Sequence, residues 1–498
     1  MSSVRDQNYI AGQWQDAVAG QSFDDFSPAD FSDKIGSFPS SGPADIDAAV
    51  NAARTAFASW SSRPAPDRGK VMRSLGDVLT ERKTDIARAM THEMGKPLEE
   101  TKGDVQEAID TAYYAASETR RLFGKTVPSE LPDKMNMTIR RPVGVCGMIT
   151  AWNFPVAVPS WKLIPALAAG NTAVFKPSEL APHSGALLVE AFLDAGLPEG
   201  VLNLVQGDGT AGEALVKHPD VDAIGFTGSS EVGKAIAETC GRLNKKCSLE
   251  MGGKNPMIVM EDADLDLALE GVLWGAFGTT GQRCTATSRL ICHEAVVDTF
   301  VDMIEAAADD LVLGDGLNEG VDVGPLINEA ALEKVTHYVN VGREEDGATL
   351  AFGGHRATGD GLDTGYFFEP TVFTGVTPDM TIAQEEIFGP VLSVLPIQSY
   401  DEAVEVANNT DYGLSSSIYT QDVNHSFRAM QDLEAGITYV NGPTIGAEAH
   451  MPFGGVKDTG NGHRDGGWEV FDFYTETKTC YIDFSGQLQK AQMDSVEA

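Results

Sequence analysis

Between Val143 and Pro256 the chain alternates short apolar runs with helical patterns, and this alternation limits the fold more than any other feature. Val143–Thr150, Thr172–Phe175, Val201–Val205 and Ala223–Phe226 read as strands, each separated from the next by a helical stretch. A parallel strand pair needs a long crossover, usually a helix, so this succession implies a parallel sheet with helices on its faces. The second half repeats the style. Met257–Met260 and Arg289–Cys292 are strand-like, with helices over Leu265–Phe277 and over 294–312. The expectation is an α/β fold with two α/β domains, since 498 residues exceed what one core serves.

Residues 8–45 read as a lead-in of short strands and turns. From Ala44 the period becomes helical, with Ile46, Val50 and Phe57 near one face. Further helices are expected over about 66–95 and 98–122, and an extended Pro-punctuated segment over Pro128–Arg141. Lys478–Phe484 reads as a late strand pairing outside its own domain.

Composition excludes several classes. Apolar stretches are broken by Pro and Gly before bilayer length, and Met1–Asn8 shows no apolar signal region, so a cytoplasmic protein is expected. The net charge of −37 argues against nucleic acid or an anionic membrane as partner. It points to an organism rich in salt, with an ordinary acidic enzyme as the alternative. The six cysteines form no C-x-x-C pair and the nine histidines no H-x-x-x-H pair, so no metal site is expected.

Chemistry gathers in glycine-flanked loops. Gly281-Gln-Arg-Cys-Thr285 presents a thiol, and Leu249-Glu-Met-Gly-Gly-Lys254 a carboxylate. A thiolate that attacks a carbonyl, with a carboxylate to move protons or activate water, is the pairing that covalent carbonyl chemistry requires. Two turns compete for a dinucleotide pyrophosphate. Gly207-Asp-Gly-Thr-Ala-Gly212 matches G-x-G-x-x-G, and Phe226-Thr-Gly-Ser-Ser-Glu-Val-Gly233 also runs from a strand into a helix N-terminus.

These motifs, in this order from about Asn8 to about Phe484, resemble the aldehyde dehydrogenase superfamily. The resemblance implies two Rossmann-like domains and a small β oligomerisation arm. Residues 1–123 and 142–252 would form the NAD-binding domain and 253–457 the catalytic domain. Residues 124–141 and 477–490 would form the arm, and 458–476 a return segment. A homodimer or homotetramer follows by resemblance.

The resemblance also assigns roles. Cys284 would be the nucleophile, Glu250 the base for thioester hydrolysis and the Asn153 amide an oxyanion donor, with Lys176 placed in the catalytic set. NAD is expected in preference to NADP, because Glu179 beside Lys176 and Ser178 would accept from the ribose hydroxyls and repel a 2′-phosphate. The pyrophosphate falls to Phe226, Thr227, Gly228, Ser229 and Val232, with Gly209 and Gly212 bordering the adenine. Ile149, Thr150, Ala151, Trp152, Met251 and Gly252 complete the groove, and Glu386 and Phe388 would meet the nicotinamide half.

For the substrate, Phe154, Trp161, Thr285 and Phe453 would line a tunnel, and Arg283 could pair with a carboxylate or phosphate at the aldehyde's far end. The helix near 103–114 supplies no second arginine, which weighs against a dianion. The expected reaction is NAD-dependent oxidation of an aldehyde, with an ω-carboxylate semialdehyde as the candidate substrate, to its acid. Its alternatives are a CoA-acylating or phosphorylated-aldehyde dehydrogenase and an inactive protein on the same scaffold. All of it requires the Cys284 sulfur to be ionised within reach of a bound carbonyl.

Overall fold

Two seven-stranded sheets organise the molecule. The computed structural model describes residues 5–493; positions 1–4 and 494–498, with the readings made at the two extreme ends, lie outside the described residues. The first sheet runs, in spatial order, through strands Lys246–Glu250, Ala223–Thr227, Val145–Ile149, Thr172–Lys176 and Leu202–Leu204, all parallel. The hairpin Asn8–Ile10/Gln13–Gln15 closes its edge antiparallel, with Tyr9 opposite Leu204. Every residue of Val145–Ile149 and Thr172–Lys176 is buried, as expected of strands covered by helices on both faces.

The second sheet places Thr371–Thr374, Val391–Ile397, Thr287–His293, Asn255–Val259, Ser415–Tyr419 and Ile437–Val440 in parallel order, with Thr349–Phe352 antiparallel at one edge. The Rossmann-like alternation expected from the sequence is therefore present twice. Strands Lys246–Glu250 and Asn255–Val259 belong to different sheets, so the chain crosses between them through Met251–Lys254. Glu250 thus stands at the carboxyl end of a strand, where open α/β sheets carry their functional loops.

A third, three-stranded sheet stands apart. Thr475–Asp483 pairs antiparallel along all of Lys134–Pro142, and Thr126–Pro128 adds the outer strand. The late strand does pair with a segment distant in sequence. One helical face differs from expectation: in Pro43–Ser61 the buried stripe runs through Ile46, Ala49, Val50, Ala53 and Trp60, while Phe57 is half-buried. The helix continues four residues past Phe57, and the larger indole at its end takes the core position, donating to the Leu167 carbonyl at 3.0 Å.

Candidate active site

Cys284 stands where two cavities meet. One, of about 200 Å³, is lined by Phe154, Trp161, Glu250, Arg283, Thr285 and Phe453 among others. The other, of about 350 Å³, is lined by Trp152, Asn153, Thr227, Gly252, Glu386 and Phe388 among others. Residues spread over more than three hundred positions of sequence are thereby brought to one sulfur.

The nucleophile loop is held in an uncommon backbone conformation. Thr279, Thr280 and Gly281 have φ of 52°, 56° and 66°, three consecutive left-handed residues of which only the last is a glycine. Such strain persists where the surroundings over-determine it. Here Glu100 accepts from the Thr279 N–H at 3.0 Å, and the Thr280 hydroxyl donates to the Gly324 carbonyl at 2.9 Å. After the turn, the Asn255 amide donates to the carbonyls of Cys284 (2.8 Å) and Ala286 (2.9 Å). Asn153 is buried, and its amide donates to the Gln282 carbonyl at 3.1 Å, two residues before the nucleophile.

The protonation states differ from the expectation of an ionised sulfur. Burial, followed by the carboxylates of Glu386 and Glu250, pushes the Cys284 thiol up to about 12. In this state it is a thiol, because a low-dielectric site disfavours the anion and two acidic neighbours disfavour it further. Glu250 is likewise pushed well above the usual carboxylate range, by burial first and by Asp465 second, with Lys162 and Arg464 opposing. Neither of its carboxyl oxygens has a partner in full hydrogen-bond geometry, the nearby Gly455 N–H only favouring the anion. Asp465 is held by the buried Lys162 ammonium at 2.5 Å.

The larger cavity fits a dinucleotide. Ser229 caps the helix Ser230–Leu243, accepting from the Val232 N–H, so a helix N-terminus faces the groove with the field that favours phosphate. The Thr227 and Thr150 hydroxyls are buried without partners, donors that the protein itself leaves unused. A side chain at Gly228 would collide with the Phe226 ring, and one at Gly252 with the Glu386 carboxylate. The Gly253 N–H donates to Glu386 at 2.9 Å, and Phe388, itself at φ 60°, packs edge-on to Trp152 with ring centroids 5.7 Å apart.

Lys176 does not line either Cys284 cavity. It is buried at the end of its strand, pairs with Glu179 at 3.2 Å and lies nearest, with Ile149, to the position a side chain at Gly212 would take. The structure thus sets Lys176 beside Glu179 and near Gly212, away from the two cavities that meet at Cys284. Val232 is half exposed on the capped helix.

Arg283, expected to pair with an anionic group of the substrate, already has an anionic partner within the protein. It forms an ion pair with Glu100 at 2.5 Å, both side chains buried, donates to the Thr279 hydroxyl at 2.8 Å, and stacks over Trp274. Glu100, Glu107 and Trp274 escaped the sequence reading, as did Lys334, Asn328 and Leu180 of the larger cavity. A usable signal existed for the first two: Glu100, Asp104 and Glu107 fall at i, i+4 and i+7 and so share one face of the helix Leu98–Glu118.

A family model described as the aldehyde dehydrogenase family matches residues 14–480. The chain belongs to that family. It is an aldehyde-oxidising oxidoreductase, and its relatives within the family are narrower in name. An alpha-ketoglutarate semialdehyde dehydrogenase of Haloferax volcanii is 42% identical over 96% of this chain and 99% of its own length. A 2,5-dioxopentanoate dehydrogenase of Saccharolobus solfataricus is 40% identical over 95% of this chain and 98% of its own. Among solved structures, betaine aldehyde dehydrogenase of Staphylococcus aureus in complex with NAD+ superposes with a TM-score of 0.95 at 34% identity, covering 97% of this aldehyde dehydrogenase and 96% of that chain. The family uses NAD(P), in keeping with the groove beside Cys284. Among the described residues no helix is long and apolar enough to cross a membrane.

Proposed function

We propose that this enzyme oxidises an ω-carboxylate semialdehyde, of the 2-oxo class named for its relatives, to the corresponding acid with NAD as electron acceptor. The observation that supports it is the position of Cys284 at the junction of two cavities, one built for a dinucleotide and one carrying Arg283 at its wall. Cys284 passes its thiol proton to water in the cavity and its sulfur adds to the aldehyde carbon, and the resulting oxyanion is met by the Asn153 amide and the Cys284 N–H. Bound NAD supplies the hydride acceptor. Glu250, across the same cavity, takes a proton from the water that cleaves the Cys284 thioester. A carboxylate at this position favours water over CoA as acyl acceptor. Neutralisation of Arg283 by Glu100 disfavours a phosphorylated or dianionic aldehyde.

NAD is the preferred acceptor because Glu179, paired with Lys176, would face a 2′-phosphate with like charge. The three-stranded sheet serves subunit contact in a homodimer or homotetramer, and a reducing cytoplasm suits a free Cys284. The test is NADH formation with succinic semialdehyde, glutaric semialdehyde and 2,5-dioxopentanoate against neutral aldehydes of equal length. At least about tenfold higher kcat/KM is expected for the anions, corresponding to one extra charge-assisted hydrogen bond. Equal values would overturn the substrate class, and turnover by Cys284→Ala would overturn the nucleophile.

A further inference from the structure

Glu107 projects from the third turn of the helix Leu98–Glu118, lines the aldehyde-side cavity and takes no part in the chemistry above. Its Oε2 is buried without a partner. Asp104, one turn earlier, is by contrast fully engaged, accepting from Lys96 at 2.9 Å and from the Ala157 N–H at 2.6 Å.

The charges facing Glu107 mostly cancel. Asp104 and Asp110 lie on its own helix, Lys96 comes from the preceding loop and Arg283 from the nucleophile loop. Lys96 is neutralised by Asp104, and Arg283 by Glu100. Tyr439 adds a phenol from the strand Ile437–Val440, and Glu250, Cys284 and Asp465 line the same cavity. With the two buried cations already paired, the state of Glu107 sets the sign of charge that an incoming aldehyde tail meets.

We infer that Glu107 is the specificity-determining residue of the aldehyde cavity, donating a hydrogen bond as a neutral acid to a carboxylate or 2-oxo oxygen on the substrate beside Arg283, and excluding that anion once ionised. The inference rests on the ω-carboxylate reading. An O–H donated to a carboxylate is short and strong, whereas two carboxylates in one low-dielectric cavity repel. Burial, reinforced by Asp104, raises the Glu107 carboxyl to about 8, so the donor form prevails at neutral pH.

The test is the ratio of kcat/KM for succinic semialdehyde to that for butanal, an uncharged aldehyde of equal length, measured from about pH 6.5 to about pH 9.5. Cys284, Glu250 and the cofactor act on both aldehydes, so their titrations cancel in the ratio. The wild-type ratio should fall about tenfold between pH 7 and pH 9, one ionisation centred near 8. Glu107→Gln, which keeps a donor and cannot ionise, should flatten the profile, and Glu107→Leu, which can neither donate nor ionise, should also be flat but should lie below wild type at pH 7 and below Glu107→Gln at every pH. A wild-type ratio above one that stays flat with pH, or a fall that persists in Glu107→Gln, overturns the inference and leaves the ω-carboxylate reading standing. A ratio near one throughout in the wild type overturns that reading first, and this one with it.

Discussion

Glu100 and Arg283 form a buried ion pair, 2.5 Å from oxygen to nitrogen, between the first turn of one helix and the residue preceding the nucleophile. The same carboxylate accepts from the Thr279 N–H, so one side chain fixes both the strained entry to the nucleophile loop and the guanidinium at the cavity wall. Arg283 is thereby a structural part of the loop as well as a wall of the aldehyde cavity.

Removing one member of this pair is expected to cost more than removing both. Arg283→Met leaves Glu100 buried and uncompensated, a change worth about 3–5 kcal/mol in comparable buried pairs. The double variant Arg283→Met/Glu100→Gln should recover most of that loss, because no charge is left stranded. Denaturant unfolding of the two single variants and the double variant measures it. Additive losses would mean that the two side chains do not act as a pair.

Glu250 must lose a proton before it can accept one from water, and its pKa lies well above the usual carboxylate range because of burial and Asp465. The fraction in the base form therefore grows as pH rises. Deacylation should accelerate with pH through that raised pKa, while the pre-steady-state NADH burst keeps its amplitude. Glu250→Gln should lower steady-state turnover by about 10²–10⁴-fold, the usual contribution of a general base, and preserve the burst. A vanished burst would place Glu250 in acylation instead.

Asn153 is expected to matter through one hydrogen bond. Its buried amide already donates to the Gln282 carbonyl at 3.1 Å, which fixes its orientation next to Cys284. Asn153→Ala should reduce kcat by about 10²–10³-fold, the range seen when a single oxyanion donor is lost. Single-turnover acylation rates read this directly, and an unchanged rate would exclude the amide from the oxyanion site.

What could be read in advance follows from how local each signal is. Glu250 ends a strand, Asn153 lies just beyond one and Cys284 lies in the short loop between a helix and a strand, so each sits in a glycine- or proline-marked stretch that sequence alone displays. The parallel sheets were legible for the same reason, since each strand–helix unit carries its own period. For Glu100 and Glu107 only the shared helix face was legible, because the packing of the helix Leu98–Glu118 against Ala157–Ala169 and the nucleophile loop gives them their surroundings. The raised thiol of Cys284 was also hidden, because burial and the Glu386 carboxylate, more than a hundred positions away, cause it. Trp60 displaced Phe57 from the core face because the helix ran on past the point where its apolar pattern weakened.

The three-stranded sheet leaves apolar side chains in solvent. Val127, Met135, Ile139, Tyr481, Ile482 and Phe484 are all exposed on or beside it. By register Met135, Ile139 and Ile482 share one face of the sheet and Val127 and Tyr481 the other, and exposed apolar residues on a strand mark an interaction site and invite pairing with another edge. Ile482→Asp together with Tyr481→Asp should therefore lower the oligomeric state seen by light scattering, without changing the far-UV spectrum. An unaltered mass in solution would remove this sheet from the subunit interface.

The net charge of −37 sets the last expectation. Acidic residues number 73 against 36 basic ones, so even complete pairing would leave about half of the carboxylates without a cationic partner. Self-repulsion of those charges opposes the compact state and is screened over about 10 Å at 0.1 M salt and about 3 Å at 1 M. The thermal midpoint should thus climb between low and molar salt, steeply at first and then levelling as the screening length falls below the spacing of surface carboxylates. The buried pairs, among them Lys96–Asp104, Lys162–Asp465 and Arg283–Glu100, are little screened and will be little affected, so the gain comes from the surface. Neutralising a set of exposed carboxylates to amides should reproduce part of the gain at low salt. A midpoint that falls or stays level with rising salt would show that repulsion among these charges does not limit stability.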